Sequence, residues 1–121
     1  MEAVLDSSFI ISCIKKKIPF FEQLKEKGFK IVLPREVEQE LKDLRFNVAH
    51  EERTAIDLAL ELFISQKIKK MTLGKRTVDE GLINLGKKGA YIATLDVAIK
   101  RSIPNCIFIL DAQKSIGIER K

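Results

Sequence analysis

Apolar and polar positions change period several times along this chain, and each change marks an element. A short apolar run, Ala3-Val4-Leu5, stops at Asp6-Ser7-Ser8. It reads as a buried strand that delivers Asp6 to the start of a helix. From Ser8 to Lys16, Phe9, Ile10, Cys13 and Ile14 recur at helical spacing, and Lys15-Lys16-Lys17 suits the negative end of a helix dipole. Pro19 opens a second short helix, with Phe20, Phe21 and Leu24 inward and Gly28 as its stop. Phe29 to Leu33, between Gly28 and Pro34, predicts a second strand. Pro34 begins a helix to about Leu44, with Val37, Leu41 and Leu44 as its apolar stripe.

Asn47 to His50 is a break, and His50 reads as a loop residue or cap. Glu51 to Ser65 is the longest helical pattern. Ile68 to Leu73 alternates weakly, as a short strand does, and Gly74-Lys75-Arg76 punctuates it. Thr77-Val78-Asp79-Glu80 matches a capping box, leading into a helix that Lys87-Lys88-Gly89 ends. Ala90 to Thr94 predicts a buried strand, followed by Leu95-Asp96 and a short helix to about Arg101. Pro104-Asn105 turns the chain into Cys106 to Leu110, the most apolar strand, and the polar stretch Asp111 to Lys121 is expected to fray. Strands alternating with helices predict an α/β fold with a mostly parallel sheet covered on both faces.

Composition narrows the class. The 121 residues suffice for one domain, taken as 1–121, and 45% hydrophobic content predicts a packed core. No apolar run reaches the length of a membrane span, and no basic segment precedes the first strand, so a cytoplasmic protein without a signal peptide is expected. Cys13, Cys106 and one His make a zinc site a poor fit. The net charge of +5 raises the odds of a polyanionic partner, RNA or DNA.

The candidate chemistry lies in the acids. In open parallel sheets, ligands bind beyond the carboxyl ends of strands. Asp6 and Asp96 each follow a predicted strand, and Asp79 lies in the first turn of a helix. In the helix from Pro34, Glu40 stands about 65° from the centre of the apolar stripe, while Glu36 and Glu38 stand further round and are expected to face solvent. Asp6, Glu40, Asp79 and Asp96 would thus converge on one edge. Crowded carboxylates raise one another's pKa unless a hard cation joins them, which suits Mg²⁺ or Mn²⁺. Ser8 and Thr94 are placed to orient metal-bound water. The competing reading makes each acid an ordinary helix cap, Asp6 or Ser7 capping the first helix. Lys75 and Arg76 precede Asp79, and Lys100 and Arg101 follow Asp96, where they could hold phosphates beside the acids or simply complement a helix end. The Phe residues fit core positions, so no stacking platform for bases is evident.

With these residues in view, the sequence resembles the PIN domain family of metal-dependent nucleases. The resemblance runs through "VLDSSFIIS", "LPREVEQELKDL", "TVDEGLINLGKKGAYIATLDVAIKR" and "IPNCIFILD", in that order. It is nearest to small PIN endonucleases that process ribosomal RNA. It implies a three-layer α/β/α sandwich with Asp6, Glu40, Asp79 and Asp96 as catalytic and metal-binding acids, Mg²⁺ or Mn²⁺ as cofactor, and RNA as substrate. Water would be the nucleophile, leaving 5′-phosphate and 3′-hydroxyl ends. Two positions depart from the pattern, since many relatives carry Asn where Ser8 and Leu95 stand here. Three roles follow: a ribosomal-RNA-processing endoribonuclease, a catalytically weak RNA-binding or ribosome-assembly factor, and the toxin ribonuclease of a toxin–antitoxin pair. Family members often dimerise, so a homodimer is among the expected assemblies.

Overall fold

The computed structural model describes Met1–Lys121. The elements run β1 (Glu2–Leu5), α1 (Ser7–Lys15), α2 (Phe20–Glu26), β2 (Lys30–Pro34), α3 (Arg35–Leu44) and α4 (His50–Ser65), then β3 (Lys69–Met71), α5 (Val78–Lys87), β4 (Tyr91–Ala93), α6 (Val97–Ser102), β5 (Asn105–Leu110) and β6 (Ser115–Arg120). Six strands form one sheet in the order β3-β2-β1-β4-β5-β6, parallel except for β6, which pairs antiparallel to β5.

Strand side chains alternate between the two faces, and the two cores record this. Ala3, Leu5, Ile31, Leu33, Tyr91, Ala93 and Ile107 point into the larger core, where they meet Phe9, Cys13, Phe20, Val37, Leu41, Ile56 and Phe63 of α1 to α4. Val4, Val32, Ile92 and Cys106 point the other way, onto Leu82 of α5, Ile99 of α6 and Ile103. Apolar residues on both faces of the central strands are what a doubly covered parallel sheet demands. The architecture is the α/β sandwich expected from the sequence.

The tail departs from expectation. Residues 115–120 do not fray; they form a strand whose partners run from Asn105↔Arg120 to Leu110↔Ser115. Ile116 is buried, Ile118 packs on the larger core, and Gly117 lies beneath the Phe108 ring, which a Cβ would meet at 2.5 Å. The alternation Ile116, Ile118 is a strand signal masked by the polar residues around it.

Strand order decides where a site can form. From β1 the chain moves to β2 and then β3 on one side, and α5 carries it back across to β4 on the other side of β1. The order therefore reverses between β1 and β4, and the loops leaving their carboxyl ends diverge to open a crevice. Asp6 and Thr94 are the first residues beyond those two strands, and Asp6 N donates to Ala93 O at 2.9 Å.

Candidate metal centre

Asp6 is both cap and cleft residue. It is the N-cap of α1, with Oδ1 accepting from Ser7 N at 2.8 Å. Its Oδ2 accepts from the buried Thr94 hydroxyl at 2.7 Å and from Ser8 Oγ at 3.4 Å. Capping engages only Oδ1, so it does not by itself exclude a ligand role for the other oxygen. Asp6 itself performs the capping, for which Ser7 was the alternative.

Glu40 reaches the same edge from α3. Ser7 Oγ donates to its Oε1 at 3.3 Å, so Ser7 touches both acids, through its backbone to Asp6 and through its hydroxyl to Glu40. The sequence offered Ser7 only as a cap, because a link spanning 33 positions has no local signature. Asp79, exposed in the first turn of α5, acts on both Asp6 and Glu40 through its charge.

The electrostatics follow from this placement. Burial pushes the Asp6 carboxyl up from its ordinary value; the Thr94 and Ser7 hydrogen bonds oppose that rise, and the Asp79 charge adds to it. Burial also raises Glu40, helped by the Asp6 and Asp79 charges and opposed by the Ser7 hydroxyl. None of Asp6, Glu40, Asp79 and Asp96 forms an ion pair with a Lys or Arg. Carboxylates drawn together without a compensating cation from the protein suit an external one.

Asp96 is at the same edge but is used differently. It is the N-cap of α6, with Oδ1 accepting from Ile99 N at 3.1 Å. Its link to Asp6 is indirect: Asp96 N donates to Thr94 Oγ1 at 3.1 Å, and that hydroxyl in turn donates to Asp6. Ser8 Oγ accepts from Leu95 N at 3.3 Å, tying the same loop to α1. Leu95 needs no polar side chain for this contact, because its backbone supplies the donor.

The donor set fits a hard, hydrated dication. All the side-chain donors are oxygens, as Mg²⁺ and Mn²⁺ prefer. No three acids close into a cage that could hold an ion by protein ligands alone. Mg²⁺ commonly binds through one or two carboxylates and keeps several waters, which an open edge of this kind allows. Ser7 joins Asp6 to Glu40, Thr94 joins Asp6 to Asp96, and the Asp79 charge acts on both Asp6 and Glu40.

Two acids expected in solvent are instead structural. Glu36 accepts from Leu73 N at 3.0 Å and from Gly74 N at 3.1 Å. Burial opposes its ionisation, but the Leu73, Glu36 and Gly74 N–H groups outweigh that and hold it below its ordinary value. Glu38 pairs with Lys70 of β3 at 2.8 Å, its side chain only 13% exposed. Helical phase placed both correctly relative to the α3 stripe. It could not show that edge strand β3 and the loop after it lie against that face.

The bases divide. Lys75 and Arg76 lie exposed in the loop 72–77 that leads to Asp79, and Lys75 lines a groove of about 440 Å³ with Glu80, Ile83, Asn84 and Lys87. Arg101 is exposed near the end of α6. Lys100 is drawn toward the opposite, amino edge of the sheet, where its charge acts on Cys106 and its carbonyl accepts from Lys121 Nζ. His50 is exposed at the first position of α4.

A family model described as a PIN like domain matches residues 3–108. No curated protein matches the sequence. Among solved structures, the chain is similar to the PIN domain endonuclease Utp24, with a TM-score of 0.77 and 19% identity, covering 99% of this chain and 92% of that one. It is also similar to the PIN domain of human SMG5, with a TM-score of 0.52 and 15% identity, covering 93% of this chain and 95% of the other.

Proposed function

We propose, from the premise that this chain belongs to the PIN-like domain family, that it is a Mg²⁺- or Mn²⁺-dependent endoribonuclease acting in ribosomal RNA processing. The observation that carries the reading is the uncompensated group of Asp6, Glu40 and Asp79 at the sheet's switch point. The structural likeness to the PIN domain endonuclease Utp24 supports the choice of reaction class, and the sequence resemblance is what favours RNA as the substrate.

Asp6 and Glu40 would hold the ion, with Asp79 completing the acidic edge and Asp96 approaching it through Thr94. When bound, the ion supplies an activated water and neutralises charge that develops on the phosphate. The protein's part is orientation. Thr94 and Ser8 fix the Asp6 rotamer, and Ser7 holds Glu40 against it. Lys75 and Arg76, on the loop beside Asp79, would receive flanking phosphates of the RNA. Cys13 and Cys106 are buried free thiols, consistent with a reducing cytoplasmic setting.

The test is cleavage of structured and single-stranded RNA in Mn²⁺, comparing the native chain with Asp6→Asn. Metal-dependent cleavage that Asp6→Asn abolishes is the expected result, and equal activity in both chains would overturn the assignment. A second reading, an RNA-binding assembly factor on the same fold, is favoured by one observation: an apolar Leu95, 37% exposed, beside Asp96. Calorimetry separates the two, since the scaffold needs no metal binding at millimolar Mn²⁺.

A further inference from the structure

Asp79 is the exposed member of the acidic group, and the loop that leads to it has little packing of its own. Thr72, Gly74, Lys75, Arg76 and Thr77 are all exposed, and only Leu73 is partly buried. Gly74 has φ +68, a left-handed conformation that glycine adopts without strain. Beyond the Thr77 hydroxyl, which caps α5 by accepting from Glu80 N at 3.1 Å, two contacts hold this loop. The first is the Glu36 carboxylate, which receives the consecutive N–H groups of Leu73 and Gly74. Successive backbone N–H groups of this kind form a natural seat for an anion. The second is the Leu73 side chain, which lies directly on Gly81: a Cβ there would come within 2.7 Å of Leu73 Cβ. Gly81 is two residues beyond Asp79 in α5.

We propose that Glu36 is a positioning residue for Asp79. It clamps Leu73 and Gly74 to α3, and Leu73 then seats α5 through Gly81, which sets how close Asp79 stands to Asp6 and Glu40. Glu36 and Glu40 lie one turn apart on α3, so a single helix both contributes one acid and fixes the approach of another. The Glu38–Lys70 pair binds the same helix to β3, the strand from which the loop departs. This inference rests on the metal-dependent reading of the acidic edge.

The experiment follows Mg²⁺-induced shifts of the side-chain carboxyl carbon resonances, with Glu36→Ala and Glu36→Gln beside the native chain. In the native chain, Mg²⁺ shifts Asp6, Glu40 and Asp79. Glu36→Ala keeps the shifts at Asp6 and Glu40, loses the shift at Asp79, and speeds amide hydrogen exchange at Leu73 and Gly74 without metal. Its metal requirement for cleavage rises by about tenfold, the usual scale for removing a group that orients a ligand. Glu36→Gln, which retains one acceptor oxygen, recovers most of the Asp79 shift. An equal Asp79 shift in all three chains overturns the proposal. Absence of a shift at any acid in the native chain removes the metal reading beneath it instead. Should Glu36→Ala fail to fold, Glu36→Gln alone decides by the protection of Leu73 and Gly74: exchange as slow as in the native chain together with full loss of the Asp79 shift would refute the clamp.

Discussion

The Thr94 hydroxyl donates to Asp6 Oδ2 at 2.7 Å across 88 positions of sequence. Thr94 is fully buried, and its oxygen also accepts from Asp96 N. One hydroxyl therefore joins the ends of β1 and β4, the two strands between which the sheet order reverses.

Thr94→Val keeps the shape and removes both contacts. It is expected to lower stability by about 1–3 kcal/mol, because it leaves a buried carboxylate oxygen and a backbone N–H without that partner. Thr94→Ser restores the hydroxyl and recovers most of the loss. Urea denaturation of the three chains measures the difference.

The contribution of Asp6 and Glu40 to the stability of the metal-free protein is expected to fall as pH rises in the carboxylate range, whereas Glu36, held below its ordinary value, works in the opposite direction. Asp6 and Glu40 have folded-state pKa values raised above their ordinary 3.8 and 4.5. Between those values and the raised ones the folded state binds more protons than the unfolded state. Stability from these groups is therefore full below the ordinary values and is lost as pH rises through the raised ones. Glu40→Gln, which keeps an acceptor for Ser7, removes its share of that loss and has a higher urea midpoint than the metal-free native chain at neutral pH. A midpoint lower than native at pH 7, with no difference in pH slope, would contradict the raised Glu40.

Mn²⁺ should reverse the same penalty. An ion present at 100 times its dissociation constant adds about 2.7 kcal/mol to a protein that binds it only when folded. Thermal unfolding is expected to shift upward with Mn²⁺ in the native chain and to stay nearly fixed in Asp6→Asn.

The bases are expected to separate by position. Lys75→Ala should lower the slope of log affinity against log salt by about one, as removal of one phosphate contact does. Lys100→Ala, on a residue drawn toward the other edge, leaves the slope unchanged. Fluorescence anisotropy of a labelled RNA across a salt series measures both.

Ile116→Ala tests the C-terminal strand. Ile116 is 3% exposed, and its N–H donates to Gln23 Oε1 of α2 at 2.9 Å. Truncating such a side chain costs about 2–5 kcal/mol. A loss below about 0.5 kcal/mol, the range of ordinary surface substitutions, would mean that residues 115–120 contribute little and that the sheet ends at β5.

The periodicity of the chain determined its elements. The apolar run before Asp6, the Val37-Leu41 stripe and the capping Thr77 are local signals, and local signals survive folding because backbone geometry imposes them. The order of the four acids was also legible, since strand ends and helix starts can be read one at a time. What the tertiary structure decided is which local signals meet. Only the strand order β2-β1-β4 brings Thr94 to Asp6, and only the return of β3 against α3 turns Glu36 and Glu38 from expected surface acids into a clamp and an ion pair. The tail was misjudged for the same reason. A polar stretch becomes a strand when β5 presents an unpaired edge and its hydrogen bonds can be satisfied there; the short alternation Ile116, Ile118 hints at a strand but does not show which edge it meets.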